Sequence, residues 1–293
     1  MNILNAPDAE KSVFWYNTLM HRKNRKKIHS VTLREQIKQA PLLFALYVIL
    51  RISVILVMIA QIMNRDWHNV MLCVLTLVLF TVPSFIEKNW HIDIPSTLEV
   101  IILLFIYSAE ISGEIRSYYI NIPGWDTVLH TITGFLSAAI GFSLVDIINR
   151  NERTKLYLSP LYVAIGAFCF SMTIGVLWEF FEFSMDWFFG LDMQKDTIIN
   201  TINTVVLDPT RSNKVVTITG ITSTAVNGVD LGINGYLDIG LIDTMKDLFV
   251  TLIGALVFSF IGFFYVKNRG EGKFAKRFIP TMKHVEKEEG KEE

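Results

Sequence analysis

Acidic side chains recur in this 293-residue sequence at spacings of three or four, and one histidine joins them. Asp126 and His130 make one pair, and Glu179 and Glu182 a second that Asp186 extends. Asp243 and Asp247 make a third, Glu110 and Glu114 a fourth. On a helix, residues so spaced share a face. Carboxylates gathered at one place repel each other and lose hydration, so a metal cation, bound protons or basic side chains must compensate. Basic side chains beside these stretches are few, namely Arg116 and Lys246. Carboxylate oxygens with one imidazole suit Mg²⁺, Mn²⁺, Fe²⁺ or Ca²⁺ better than a structural Zn²⁺. Asp126, His130, Glu179, Glu182, Asp243 and Asp247 are therefore the candidate metal ligands. Beside a cation-bound water, Glu179, Glu182 or His130 has the chemistry of a catalytic general base.

Each residue also has a plainer reading. Asp126 and Asp243 stand at helix starts, where an aspartate caps free N–H groups and suits the positive end of the dipole. His130 alone reads as a hydrogen-bonded core histidine, and Glu114 and Asp186 as solvated surface. Glu179 and Glu182 admit no such account. They lie toward the C-terminal end of their helix, where the dipole disfavours acids. Inward-facing pairs on several helices resemble carboxylate-bridged di-metal bundles in spacing alone.

The elements that must position these residues are membrane spans. The hydrophobic share of 51% is too high for a soluble globular chain and implies an all-α integral membrane protein. Six apolar segments follow a polar start: Pro41 to Met63, Asn69 to Ile86, Ile94 to Gly113, Trp125 to Ile148, Ser159 onward through Trp178, and Asp243 to Val266. The third is the weakest, since Glu99 and Glu110 interrupt it and its uncharged core runs only from Val100 to Ala109. Arg51 falls near the middle of the first span, and Glu99 lies about five residues deep from the same, cytoplasmic side in the third, within reach of a long Arg side chain. An unpaired charge there is costly, so the two read as a structural ion pair. Cys73 and Cys169 sit in apolar runs and read as small core residues. The first apolar run starts only after about forty residues, which does not suit a cleavable signal peptide.

Arg and Lys gather before the first segment, between the fourth and fifth, and after the sixth. By the positive-inside rule both termini are cytoplasmic, and the protein is a multi-pass protein of the plasma (inner) membrane. The expected organisation is a basic cytoplasmic arm over residues 1–40, spans one to five within 41–187, an extracytoplasmic loop over 188–240, the sixth span over 241–266 and a charged cytoplasmic tail over 267–293. The arm, with His21-Arg22-Lys23-Asn24-Arg25-Lys26-Lys27, suits anionic lipid headgroups. Nothing points to nucleic acid. The loop is too long to be a mere connection, and it reads as a small lid with some β structure. Lys214 to Thr219 is β-branched, Asn227-Gly228 predicts a hairpin turn, and Asp196 to Leu207 fits either a short helix or a strand.

The sequence resembles the YjdF-like family of uncharacterised bacterial inner-membrane proteins. The likeness rests on Trp125-Asp126-Thr127-Val128-Leu129-His130 followed by Gly134, on Trp178-Glu179-Phe180-Phe181-Glu182-Phe183, and on Asp243-Thr244-Met245-Lys246-Asp247-Leu248 followed by Gly254-Ala255. It implies a helical membrane protein with no established activity, against whose pattern Gly190 to Gly240 looks like an insertion. The leading expectation is an outward-facing carboxylate and histidine site of a metal-dependent enzyme acting on a lipid or cell-envelope substrate. The alternatives are a proton- or cation-coupled transporter, and a non-catalytic protein that binds a partner through its loop.

Overall fold

A computed structural model describes residues 41–90, 92–150, 158–268 and 274–282. The basic arm over 1–40, most of the connector carrying Arg153 and Lys155, and much of the charged tail lie outside the described residues. Ala45–Lys283 form one compact unit. The other unit, Met1–Phe44 with His284–Glu293, contributes only Pro41 to Phe44, the first turn of α1.

Helix α1 (Pro41–Met63) opens on a proline, whose missing N–H costs nothing in a first turn. Helix α2 (Trp67–Leu79) is capped by Asp66, which accepts from the Asn69 backbone N–H at 3.1 Å. Helix α3 (Val82–Trp90) continues it after a break at Phe80 and Thr81. Pro83 explains the break, because it has no N–H to offer the Leu79 carbonyl. Strand β1 (Ile92–Asp93) leads to α4 (Ser96–Tyr107), which widens into a π-helix over Ser108–Ile115. After the short α5 (Tyr118–Asn121) come the three longest helices of the bundle core, α6 (Trp125–Arg150), α7 (Pro160–Phe189) and α8 (Leu241–Lys267).

Five helical segments among the described residues are long and apolar enough to cross a membrane: Pro41–Met63, Trp67–Asn89, Trp125–Asn149, Pro160–Phe189 and Leu241–Lys267. The segment expected from Ile94 to Gly113 is not one of them. Its place is taken by the 12-residue α4 and the eight-residue π-helix that follows.

Small residues let α6, α7 and α8 approach closely, as packing in a membrane favours. A Cβ on Gly134 would overlap the Thr251 carbonyl oxygen, and one on Gly254 the Thr131 carbonyl oxygen. Backbone thus meets backbone where α6 crosses α8. The Ser171 hydroxyl of α7 donates to the Gly134 carbonyl at 2.7 Å, tying the third helix to the same point. Beyond this crossing, Ala138, Phe142, Val163, Ala167, Phe258 and Tyr265 form the apolar core. Phe135 and Phe142 meet the Phe258 ring edge to face at 5.0 and 6.0 Å. The chain after α8 turns back through a 3₁₀ turn at Ala275–Arg277, and Phe278 and Ile279 join that core. Strand β8 (Thr281–Met282) then pairs antiparallel with β1.

The insert between α7 and α8 is ordered by three further two-stranded ladders. Strand β2 (Ile198–Ile199) pairs with β7 (Tyr236–Leu237), β3 (Thr201–Thr204) with β4 (Val216–Thr219), and β5 (Ala225–Val226) with β6 (Val229–Asp230). The segment left open between helix and strand is therefore strand. Asn227 and Gly228 have φ of 52° and 81°, the left-handed pair that a two-residue hairpin turn requires. The β3–β4 connection is shaped by Asp208. Its carboxylate accepts from the Thr210 hydroxyl at 2.6 Å and from the backbone N–H groups of Lys214, Thr210 and Ser212. These bonds, the Thr210 hydroxyl foremost, hold it down to about 2, well below the usual carboxylate range.

Candidate functional site

α6 and α8 present their N-terminal ends, and α7 its C-terminal end, at one end of the bundle core. There Asp126 and His130 of α6 meet Glu179 and Glu182 of α7 and Asp247 of α8. His130 is at the centre. Its Nε2 is 3.4 Å from Asp126 Oδ1 and 4.0 Å from Asp247 Oδ2, and its Nδ1 is 3.8 Å from Glu179 Oε1. Two sets of ligand atoms gather within 4.8 Å of one another, Asp126 with His130 and Asp247, and His130 with Glu179 and Glu182. They share the imidazole, one set on each side of the ring.

The backbone crossing fixes this geometry. Thr131 and Gly134 follow His130 within about one helical turn, and Thr251 and Gly254 follow Asp247 by about one and two turns. The Thr251 hydroxyl also donates to the His130 carbonyl at 3.3 Å.

Burial makes the site expensive. Glu179 is 4% exposed and Asp247 1% exposed. Both carboxylate oxygens of Glu179 and Oδ1 of Asp247 are buried without a hydrogen-bond partner among the described residues. Buried polar atoms are nearly always satisfied, so orphaned carboxylate oxygens point to something that completes them. Only Asp126 sits in a first turn, where the positive end of a helix favours an acid; α7 runs on to Phe189, well past Glu179 and Glu182, and Asp247 lies beyond the first turn of α8. Glu182 gains one donor, the Trp178 indole N–H at 2.8 Å.

Two other acids have structural work. Asp186 accepts from the N–H groups of Met193 and Gln194 at 2.6 and 2.9 Å. Asp243 accepts from the N–H of Lys195 at 2.9 Å and has Lys246 at 3.9 Å, so neither ligand set includes it. With the Gln194 amide donating to the Thr244 hydroxyl at 2.6 Å, these bonds hold the start of the insert between the ends of α7 and α8. Asp238 holds its other end, accepting from Thr197 and Ile242. Glu110 and Glu114 lie on the π-helix and join neither ligand set.

Arg51 and Glu99 meet a residue that sequence reading missed. The Tyr47 hydroxyl donates to Glu99 Oε1 at 2.7 Å, and the Arg51 guanidinium lies over the Tyr47 ring, 5.0 Å from its centroid. Arg51 also donates to the Phe80 carbonyl at 3.4 Å, in the break between α2 and α3. Tyr47 precedes Arg51 by four residues, and Trp178 precedes Glu182 by four, so the spacing that exposes the acids also marks both partners.

The chain matches a family described as predicted membrane protein (DUF2238) over residues 44–268, and it belongs to that family. It is also similar to an uncharacterised protein of Thermotoga maritima, 23% identical over 104 residues that cover 36% of this chain. The chain spans about half of that relative, 52% of its length. No solved structure matches. The family is one of membrane proteins without an assigned function, as the resemblance implied, and the YjdF-like likeness itself stays a resemblance.

Proposed function

We propose that this is a six-span inner-membrane protein, both termini cytoplasmic, that binds a divalent cation at its extracytoplasmic end and uses it in hydrolytic chemistry on a lipid or cell-envelope substrate. One observation carries the cation: the buried, unpartnered oxygens of Glu179 and Asp247 on either side of one imidazole. Protonation would quench the charges but would leave acceptors without donors, whereas a cation satisfies several oxygens at once. Either donor set, Asp126 and Asp247 with His130 or Glu179 and Glu182 with His130, fits Mg²⁺, Mn²⁺, Fe²⁺ or Ca²⁺, with Asp243 at the margin. A cation so held supplies an acidified water. Glu182, oriented by Trp178, would accept the proton, because a His130 that ligates the cation keeps no free nitrogen lone pair. The insert over 188–240, fastened by Asp186, Asp238 and Asp243, serves as the lid.

The topology has its own support. The pairing of β1 with β8 supports placing both strands on one face of the membrane, with an even number of crossings between them. Helices α6, α7 and α8 account for three crossings. The fourth is α4 with its π-helix, which together approach the roughly 30 Å hydrocarbon thickness. With α1 and the Trp67–Asn89 segment the total is six. Arg51 and Glu99 are then a structural charge pair bridged by Tyr47. The aromatic packing around Phe142 and Phe258 supports an enzyme over a transporter, because it fills the core on the cytoplasmic side of the acids.

Elemental analysis of the purified protein tests the reading. One or more equivalents of a divalent metal are expected in the wild type, with a sharp fall in Glu179→Gln that still inserts into membranes. A wild type free of metal after purification and after incubation with Mn²⁺ contradicts it.

A further inference from the structure

The candidate cation site is closed to solvent on its Glu179 side. Glu179 and Glu182 are 4% and 8% exposed. The buried His130 ring separates them from Asp126, the one site acid that is only half-buried. The start of the insert lies across this side. Asp186 stands one turn beyond Glu182 on α7, and Asp243 and Thr244 about one turn before Asp247 on α8, so all three share the faces that carry the site. Each holds residues 193–195. Asp186 accepts from the N–H groups of Met193 and Gln194, and Asp243 from that of Lys195. The Gln194 amide donates to the Thr244 hydroxyl at 2.6 Å, and Thr244 in turn neighbours Glu179. Gln194 is seated against the start of α8, where a Cβ on Gly240 would fall 2.8 Å from its Cβ.

We infer that residues 193–195 are a gate, with Gln194 as its latch, through which the divalent cation enters and leaves the Glu179 side. The inference rests on the cation reading proposed above. A cation cannot reach buried oxygens through closed packing, so some element has to move. The helices are held, because α6 meets α8 backbone to backbone at Gly134 and Gly254. Residues 193–195 belong to no helix or strand and are tied down by side chains rather than by a ladder. Such segments open at a small fraction of the free energy of global unfolding. The Gln194 side chain bonds to Thr244 and not to a site acid, so it stabilises the closed state without ligating the cation. Weakening that bond raises the open fraction, and entry and exit quicken by the same factor while affinity stays fixed.

Stopped-flow loading of the full-length protein with Mn²⁺, and release of Mn²⁺ to a chelator, test this alongside the equilibrium Kd. Gln194→Ala and Thr244→Val break the latch from its two ends. One net hydrogen bond corresponds to a change of about fivefold. Each variant is therefore expected to load and release Mn²⁺ about fivefold faster than the wild type, with Kd unchanged within about twofold. Wild-type rates in folded samples of either variant overturn the gate, the cation then passing beside Asp126. Faster release with unchanged loading also overturns it, since the latch would then be helping to hold the cation. A wild type that takes up no Mn²⁺ at all overturns the cation reading itself, an outcome distinct from uptake at unaltered rates.

Discussion

The two halves of the α6–α7–α8 core are built on opposite principles. In one half, Phe135, Phe142, Phe258 and Phe278 meet edge to face, with Ser143, Asp146 and Ser259 the polar side chains buried toward that end. In the other, four acids surround His130, and three of their oxygens lack a hydrogen-bond partner among the described residues. The glycine crossing at Gly134 and Gly254 is the boundary. The aromatic half holds the helices in register, and that rigidity lets the acid half keep charges together that would otherwise drive the helices apart.

The largest expected effect should separate them. Phe258→Ala removes a fully buried ring from the aromatic half and is expected to cost about 3–5 kcal/mol, read as a fall in melting temperature. Protein that remains folded should keep its metal. If folded Phe258→Ala protein loses its metal in proportion to its stability, the halves are not separable. Gly134→Ala attacks the boundary, where the new Cβ would overlap the Thr251 carbonyl. A cost of about 1–3 kcal/mol is expected, as for other overpacked sites. Mn²⁺ affinity should also weaken, because His130 and Asp247 are forced apart, and an unchanged affinity would show that the crossing does not set the site.

Glu179→Gln should act in the opposite direction to both. Without divalent cations it removes a buried charge from a repelling group, so a gain of about 1 kcal/mol is expected. The melting temperature measured in chelator should rise, and the further rise on adding Mn²⁺ should vanish. A large loss of stability in chelator would mean that Glu179 is a structural acid with a partner.

The smallest effect lies in the insert and sharpens the contrast by counter-example. Asp208 has the donors that Glu179 lacks, and they hold its carboxyl down to about 2. Its folded value lies below the unfolded one of about 3.9, so its contribution is complete above pH 4 and is lost as pH falls toward 2. Hydrogen exchange at the amides of Thr210, Ser212 and Lys214 should be slow at neutral pH and quicken over that window, relative to the intrinsic rate. Protection unchanged down to pH 2 would show that the carboxylate does not hold the turn.

Much of this arrangement is legible in the sequence, because helical spacing and membrane cost are both local signals. Glu179 and Glu182 stand out since an acid near a helix C-terminus has no capping role, and the structure brings them to His130. Asn227-Gly228 announces its turn by the backbone angles those residues tolerate. What is not legible depends on distant partners. Asp243 has the same spacing to Asp247 as a ligand pair would, yet its carboxylate turns to Lys195 in a loop far back in the chain. The π-helix at Ser108–Ile115 has no proline or cap to mark it. The return of Phe278 and Ile279 into the core follows a charged stretch that reads as solvated tail.

The central claim is that His130 and carboxylates beside it bind a divalent cation in the acid half, and pulsed electron paramagnetic resonance of the Mn²⁺-loaded protein tests it most directly. The account predicts nitrogen modulation from a single imidazole, lost in His130→Ala and retained in Asp243→Asn, whose carboxylate is engaged by the insert. A Mn²⁺ signal indistinguishable from that of the hydrated ion, or nitrogen modulation that persists without His130, would contradict it.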